Sequence, residues 1–388
     1  MDLEMKEYIQ VKDFLMGSLF FVLLLACNSP DVRAQQAVES PGDTLVVQGS
    51  SDTLSPEQAD TLLCIIGVGD MMLGTNYPSA GYLPPNGGKD ILVEVTPIIQ
   101  TADLAFGNLE GAILDQGGTP KTCKNPDVCY VFRSPESYAQ HFADAGFHML
   151  SLANNHSGDF GPEGRKRTKA SLDAVGIAYA GLAGTDEYCV VERNGIRYGM
   201  AAFAPNVGTC DIRDIPRAKE IVRTLKEKSD IVIVSFHGGA EGPQHQHVPK
   251  ATETYYGENR GDVHKFAHAV IDAGADIVFG HGPHVTRAIE LYNDRLIAYS
   301  LGNFATYGRF NLSGPAGLAP LLKVYVDAQG RFVHGEIVAT YQTKPHGPKI
   351  DPQKRVIKDM IRLTKADFPD TPLLISEDGL ITRTQGLE

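Results

Sequence analysis

The chain has 388 residues, with 47 acidic and 35 basic side chains and a formal charge of −12. That balance, without a basic run or an aromatic-interleaved groove signature, argues against nonspecific binding to nucleic acid. The apolar content of 43% is enough for one large α/β domain with additions or for two smaller ones, and no repeat of fixed period is visible.

The first feature in chain order is a short apolar run, Phe14 to Ala26. It falls below the roughly twenty residues of a comfortable membrane span and reads as a signal h-region. It ends in Leu-Leu-Ala before Cys27, a pattern that resembles a bacterial lipobox. Residues 1–26 are therefore expected to be a lipoprotein signal peptide, with Cys27 the lipidated first residue of the mature chain. Asp2, Glu4, Glu7 and Asp13 outnumber Lys6 and Lys12 where positive charge is expected, which keeps a buried helix or an uncleaved anchor open. Residues 27–60 are Ser-, Pro-, Gly-, Asp-, Gln- and Thr-rich and read as a flexible tether.

From residue 61 the pattern becomes that of a layered α/β domain, expected to extend to 345. Runs rich in Val, Ile, Leu or Phe (CIIGVGD, LAFGNLE, MLSLANNH, IVIVSFHGG, DIVFGHGPH) read as buried strands. Segments 135–146, 162–175, 214–229 and 262–273 look helical and separate them. Asn194-Gly195 marks a hairpin turn, and LLKVYVDAQGRFVHGEIVATY reads as another hairpin. Residues 346–388 are expected as a helical extension with a peripheral helix over 352–366.

Each strand run ends in polar residues: Asp70, Asn108 to Glu110, Asn154 to Asp159, His237, and His281 to His284. Side chains at the carboxyl ends of neighbouring strands converge on one crevice. Taken singly, each cluster has an ordinary explanation as a turn, a cap or a strand-end histidine. Gly280, Gly282 and Pro283 make the His281–His284 pair the strongest single signal, since a tight turn there aims two imidazoles at one centre. Together the clusters predict a metal-binding crevice, and imidazole with carboxylate suits zinc, manganese or iron better than magnesium or calcium.

Cys123 and Cys129 flank Lys-Asn-Pro-Asp-Val and are expected to close a local disulfide, whereas zinc binding by them lacks a second pair. Cys64 lies in the first strand and reads as buried; Cys189 and Cys210 are left open. Arg165, Lys166, Arg167 and Lys169 read as a solvated helix face. Tyr255, Tyr256, Glu258 and Arg260 form an insertion between His237 and His281, placed either to roof the crevice or as a surface loop.

Gly-Asp-Met-Met-Leu-Gly at 69–74, Asn-Leu-Glu at 108–110, Ala-Asn-Asn-His-Ser-Gly-Asp-Phe-Gly at 153–161, Phe-His-Gly-Gly-Ala-Glu at 236–241, Gly-His-Gly-Pro-His-Val at 280–285 and Ser-Leu-Gly-Asn-Phe at 300–304 resemble the CapA family. That family is named for poly-γ-glutamate capsule biosynthesis and is related to the calcineurin-like metallophosphoesterases. The resemblance implies a four-layer α/β/β/α sandwich of the metallophosphoesterase type, with a peripheral C-terminal hairpin and helix. It further implies one or two divalent transition metals (Mn, Zn or Fe). Asp70 resembles the first metal-binding aspartate and Glu110 the bridging carboxylate. Asn155, His237 and His281 then complete one metal's shell, and His284 shares the other with Asp70 and Glu110. His156 resembles the histidine that protonates a leaving group or holds an oxyanion, with Asp159 orienting it. Asn108 and Arg133 are assigned to substrate, though Arg133 also reads as a surface arginine. The phosphoesterase pattern has a histidine where this chain has Met72, a loss shared by CapA-type sequences that weakens one metal position.

Two functions follow from the resemblance. One is a metal-dependent hydrolase or transferase acting on an anionic polymer of the bacterial envelope, such as poly-γ-glutamate or capsule material. The other is a non-catalytic accessory subunit that binds such a polymer during synthesis or export. The amino terminus places the protein outside the cytoplasm, lipid-anchored to a membrane.

Overall fold

The computed structural model describes residues 62–123 and 129–384. The signal peptide, the tether and the Cys27 lipidation site lie outside the described residues.

The first sheet has ten strands. Its main path runs β19 (Leu373–Ile375), β20 (Leu380–Arg383), β17 (Phe332–Thr343), β16 (Leu318–Val326), β1 (Leu63–Met72), β2 (Leu104–Leu109), β5 (Met149–Ser151), β6 (Ala178–Ala180); β15 (Asn303–Thr306) joins β1 and β18 (Gly347–Ile350) joins β17. The second sheet has six strands, in the order β13 (Ile289–Tyr292), β14 (Arg295–Ala298), β12 (Ile277–His281), β9 (Ile231–His237), β8 (Ile196–Phe203), β7 (Tyr188–Arg193). Two short pairs complete the strands: β3 (Ala112–Ile113) with β4 (Arg133–Ser134), and β10 (Thr254–Tyr255) with β11 (Glu258–Asn259).

The sheets pack face to face. Ile65, Leu104, Phe106 and Met149 of the first meet Met200, Ile233, Ile277 and Phe279 of the second in one buried cluster, with the Phe106 and Phe279 rings stacked at 5.5 Å. Helices cover the outer faces. α1 (Tyr138–Ala145) and α2 (Gly161–Ala174) pack on the first sheet through Tyr138, Phe142 and Leu172; α3 (Ile215–Lys226) and α4 (Val263–Asp272) pack on the second through Ile221, Leu225, Phe266 and Val270. The result is the expected α/β/β/α order. Central strands buried on both faces need apolar residues at every position, which is why these runs are continuous rather than alternating. Helix starts are locally encoded: Asp214 and Asp262 each cap a helix by accepting from the third residue on, at 3.1 and 2.9 Å. Asn194 and Gly195 both adopt positive φ (52° and 77°), the requirement of the tight hairpin turn between β7 and β8.

The C-terminal hairpin is not peripheral. β16 pairs antiparallel with β1 from Leu63 to Val68, so the hairpin sits inside the first sheet, and α5 (Arg355–Asp367) buries Val356, Ile357 and Met360 in the cluster between the sheets. β18, β19 and β20 also join this sheet, so the residues after 345 contribute strands as well as a helix. The reason lies in β16 itself. Its burial is nearly continuous, so it needs cover on both faces and a neighbour on each side.

Cys123 and Cys129 are disulfide-bonded, with Cα atoms 5.6 Å apart; Cys64, Cys189 and Cys210 are free thiols, and Cys64 is buried.

Candidate metal centre

The site is built where β1 changes partners. Its first half pairs with β16 and its last three residues with β15, with register breaks around Asp70. Gly69 makes the switch sterically possible, since a Cβ there would lie 2.0 Å from the Gly302 carbonyl oxygen. The irregularity turns the Asp70 carboxylate into the crevice, and the Asp70 N–H donates to Gly302 O at 2.8 Å. Asp70 faces Asn108 on β2, and Glu110 follows two residues later. From the second sheet, His237 and His281 are register partners at the ends of β9 and β12. The crevice therefore lies at the carboxyl ends of both sheets.

The Asp70, Glu110, His237 and His281 side chains are all buried, and they point at one another. One ligand atom each from Asp70, Glu110 and His237 lies within 4.8 Å of the others. His237 Nδ1 is 3.5 Å from Glu110 Oε2, and His281 Nδ1 is 3.4 Å from Asp70 Oδ1. His284 follows a Gly282-Pro283 turn and itself adopts φ 57°, which brings Nδ1 to 2.9 Å from Asp70 Oδ2 and Nε2 to 4.0 Å from Glu110 Oε1. Gly282 must be glycine in this turn: its φ is 115°, and a Cβ would meet Gly238 O at 2.6 Å.

Asn154, Asn155, His156 and Asp159 form the loop after β5. Asn154 holds the loop's shape. Its amide donates to Asn108 Oδ1 (3.1 Å) and Leu109 O (2.8 Å), and its carbonyl oxygen accepts from His156 N (3.0 Å). His156 Nε2 is 4.0 Å from Glu110 Oε1, and Nδ1 is 2.8 Å from Asp159 Oδ2, which also accepts from Phe132 N at 2.6 Å. The Phe132 ring packs on the imidazole, with centroids 4.2 Å apart.

The electrostatics follow from burial and like charge. Burial, and then the Asp70 charge, push Glu110 up to about 8. Burial opposes ionisation of Asp70 as well, but the adjacent His281 imidazole and the hydrogen bond from His284 outweigh it and hold its carboxyl far below the usual range. For His284, burial works against the charged form and the bond to Asp70 overrides it, raising it to about 10. Burial and the adjacent Arg260 guanidinium keep His237 neutral.

The donor set fits a divalent cation. Among the described residues, Glu110 Oε1, Asn155 Oδ1, His237 Nδ1 and both ring nitrogens of His281 are buried without a hydrogen-bond partner. Such atoms are costly to leave unpaired, and every one is of a kind that ligates metal.

Two residues assigned to substrate are placed differently from each other. Asn108 is fully buried, and its amide is occupied by Asp70 Oδ1 (2.8 Å) and Glu110 Oε2 (2.6 Å), so it orients the two carboxylates instead of facing a ligand. Arg133 follows Phe132 in the chain, its Nε donating to Asn76 Oδ1 at 2.6 Å and its guanidinium 5.1 Å from the Phe160 ring centroid.

One contributor escapes sequence reasoning, and two others were only partly legible. Lys121 Nζ lies 2.5 Å from Asp159 Oδ1 and donates to Asn155 O at 3.1 Å, and no motif marks it. Asn154 was visible only as part of a polar cluster. Arg260, buried, pairs with Glu241 at 3.0 Å and reaches within 3.4 Å of His237 Nε2, so part of the insertion does wall the crevice, while Tyr256 is exposed.

Comparison with known proteins agrees with the sequence motifs. The chain is 30% identical over 263 residues to the PGA biosynthesis protein CapA of Bacillus subtilis, covering 63% of this chain and 64% of that one. It is 33% identical over 227 residues to a probable polyglutamine synthesis accessory protein of Mycobacterium tuberculosis, covering 52% and 55%. It thus spans somewhat less than two thirds of these relatives. Among solved structures, a phosphatase from Mycoplasma pneumoniae aligns with a TM-score of 0.44 at 15% identity, over 73% of this chain and 95% of that one. The family described as bacterial capsule synthesis protein PGA_cap matches residues 64–307, a span running from β1 through β15 and including Asp70, Glu110, Asn155, His237, His281 and His284, and the chain belongs to that family.

Proposed function

We propose that the protein is a metal-dependent hydrolase or transferase acting on an anionic polymer of the cell envelope, such as poly-γ-glutamate or capsule material. The observation that carries this reading is the convergence of unpartnered, buried ligand atoms from both sheets beside a histidine–aspartate pair. Asp70, Glu110, Asn155, His237, His281 and His284 would hold one or two divalent ions, of which Mn, Zn and Fe suit the donors. When bound, such an ion supplies Lewis acidity toward a phosphoryl or carbonyl oxygen.

The chain's own groups do the rest. Asp159 accepts from His156 Nδ1–H, which fixes the tautomer and leaves Nε2 facing the crevice to take or return a proton at the reacting oxygen or nitrogen. Phe132 covers the ring and limits water on that side. Asn108 keeps the two carboxylates in register. Lys121 adds a positive charge next to the Asn155–His156 peptide. Arg133 stands as the candidate clamp for a substrate carboxylate or phosphate.

The second reading is a polymer-binding accessory role, and Met72 favours it. This buried thioether stands where the phosphoesterase pattern has a histidine, and it offers only a soft, weak ligand. The two readings separate on one variant. Under the first, His156→Ala retains metal and substrate affinity and slows turnover of phosphoester or γ-glutamyl amide substrates about a hundredfold or more. A metal-loaded wild-type protein that binds the polymer tightly and cleaves neither bond class sinks the enzyme reading. We place the protein at the envelope on the family's association with capsule synthesis, with attachment through Cys27 as part of the same proposal; no helix among the described residues is long and apolar enough to cross a membrane.

A further inference from the structure

We infer that His264, His268 and Glu290 form a second divalent-metal site, of the zinc class, at the outer edge of the six-stranded sheet. The site is separate from the crevice and uses none of its residues. His264 and His268 are four apart on α4 and share one helix face, with ring centroids 4.2 Å apart. Glu290 reaches them from β13, the edge strand, where it points outward between buried Ile289 and Leu291. His268 Nε2 is 2.9 Å from Glu290 Oε2.

One ligand atom from each of the three lies within 4.8 Å of the others. A tetrahedral ion with bonds of about 2.1 Å requires separations of about 3.4 Å, so a small side-chain adjustment closes the set. The second layer of contacts is already in place. The Tyr299 hydroxyl donates to Glu290 Oε2 at 2.6 Å and orients the carboxylate. Tyr292 stacks on His268 at 3.7 Å, and Phe368 and Tyr299 lie parallel to His264 at 5.9 and 6.2 Å, which limits the rotation of both rings.

All three residues are half-buried, so a fourth position opens to solvent, as in zinc sites with three protein ligands. Lys250 lies over the Phe368 ring at 4.6 Å and adds a positive charge near His264. An ion here ties α4 to the sheet's edge strand, with Glu290 standing 22 residues on from His268.

The test uses the full chain carrying His237→Ala and His281→Ala, which removes two ligands of the crevice. Titrated with Zn²⁺, this protein is expected to bind one equivalent, with a rise in melting temperature, and Co²⁺ is expected to give the visible absorption of a four- or five-coordinate site. Adding His264→Asn and His268→Asn should abolish all three signals. Absence of bound zinc at about 100 μM in the first protein, or equal binding after the second pair of changes, overturns the inference. If the crevice variant does not fold, wild-type protein is compared with His264→Asn/His268→Asn alone: one fewer zinc per chain supports the site, and an unchanged count overturns it. Because these residues lie outside the crevice, the count is independent of whether the crevice is catalytic.

Discussion

Arg287 offers the sharpest test of how the crevice is held together. It is fully buried and paired with Glu253, which is 7% exposed, through two hydrogen bonds of 2.8 and 2.7 Å. Its Nε donates to His245 O (2.8 Å) and Nη2 to Ala240 O (3.2 Å), so one guanidinium secures both the turn after His237 and the insertion that carries Arg260. Glu253 in turn accepts from Ala240 N at 2.9 Å and exchanges backbone bonds with Arg260 and Gly261. Replacing Arg287 by Met keeps much of the volume but strands the Glu253 carboxylate with a single donor and frees two carbonyl oxygens. Breaking a buried pair from one side costs about 3–5 kcal/mol. With a urea slope of about 3 kcal/mol/M, the midpoint should fall by about 1–1.7 M. The double variant Arg287→Met/Glu253→Met removes the stranded charge and should recover roughly half of that loss. Urea unfolding followed by far-UV circular dichroism measures both. A single variant within about 1 kcal/mol of wild type, or a double variant that merely adds the two single losses, would refute the claim that this pair anchors the crevice wall.

Other expectations concern different parts of the molecule. His237→Ala/His281→Ala should lose most of the crevice metal while keeping wild-type secondary structure, and unchanged metal content by elemental analysis rules the proposed ligand set out. His148 accepts from Ala105 N at 2.9 Å, and burial, followed by Arg193, lowers it to about 4. Its folded-state value lies below the unfolded value of about 6.5, so its contribution is complete above pH 6.5 and is lost as pH falls toward 4. The urea midpoint of His148→Asn should therefore fall less steeply than that of wild type across this window; parallel profiles contradict the assignment. Cys27→Ser should leave the chain unlipidated and shift its extraction from membranes, whereas an unaltered mass and membrane fraction points to an uncleaved anchor or to no anchor.

The amino-acid sequence alone determined the elements and marked the polar residues that the fold gathers in one crevice. Continuous runs of strand length, rich in β-branched and aromatic residues, read as doubly buried strands, so the central strands and the layered α/β order were legible without coordinates. Helix positions were legible too: the 214–229 and 262–273 segments became Ile215–Lys226 and Val263–Asp272, their starts set by the aspartate caps. Asp70, Glu110, His237, His281 and His284 could be named because polar residues at strand ends are costly unless they serve something, and their donor types pointed to metal.

Tertiary structure decided the rest, because it depends on neighbours distant in the chain. The C-terminal hairpin's place beside β1 arises from pairing between residues some 260 apart, as Leu63 with Val326, which no local pattern encodes. Asn108 was assigned to substrate because its residue type suits recognition, yet the sheet register sets its amide between two carboxylates. Lys121 and Arg260 lie in segments without periodicity, and their positions beside His156 and His237 follow from loop packing. The His264–His268 spacing was present in the sequence, but the carboxylate that completes the cluster comes from a strand that only the fold brings alongside.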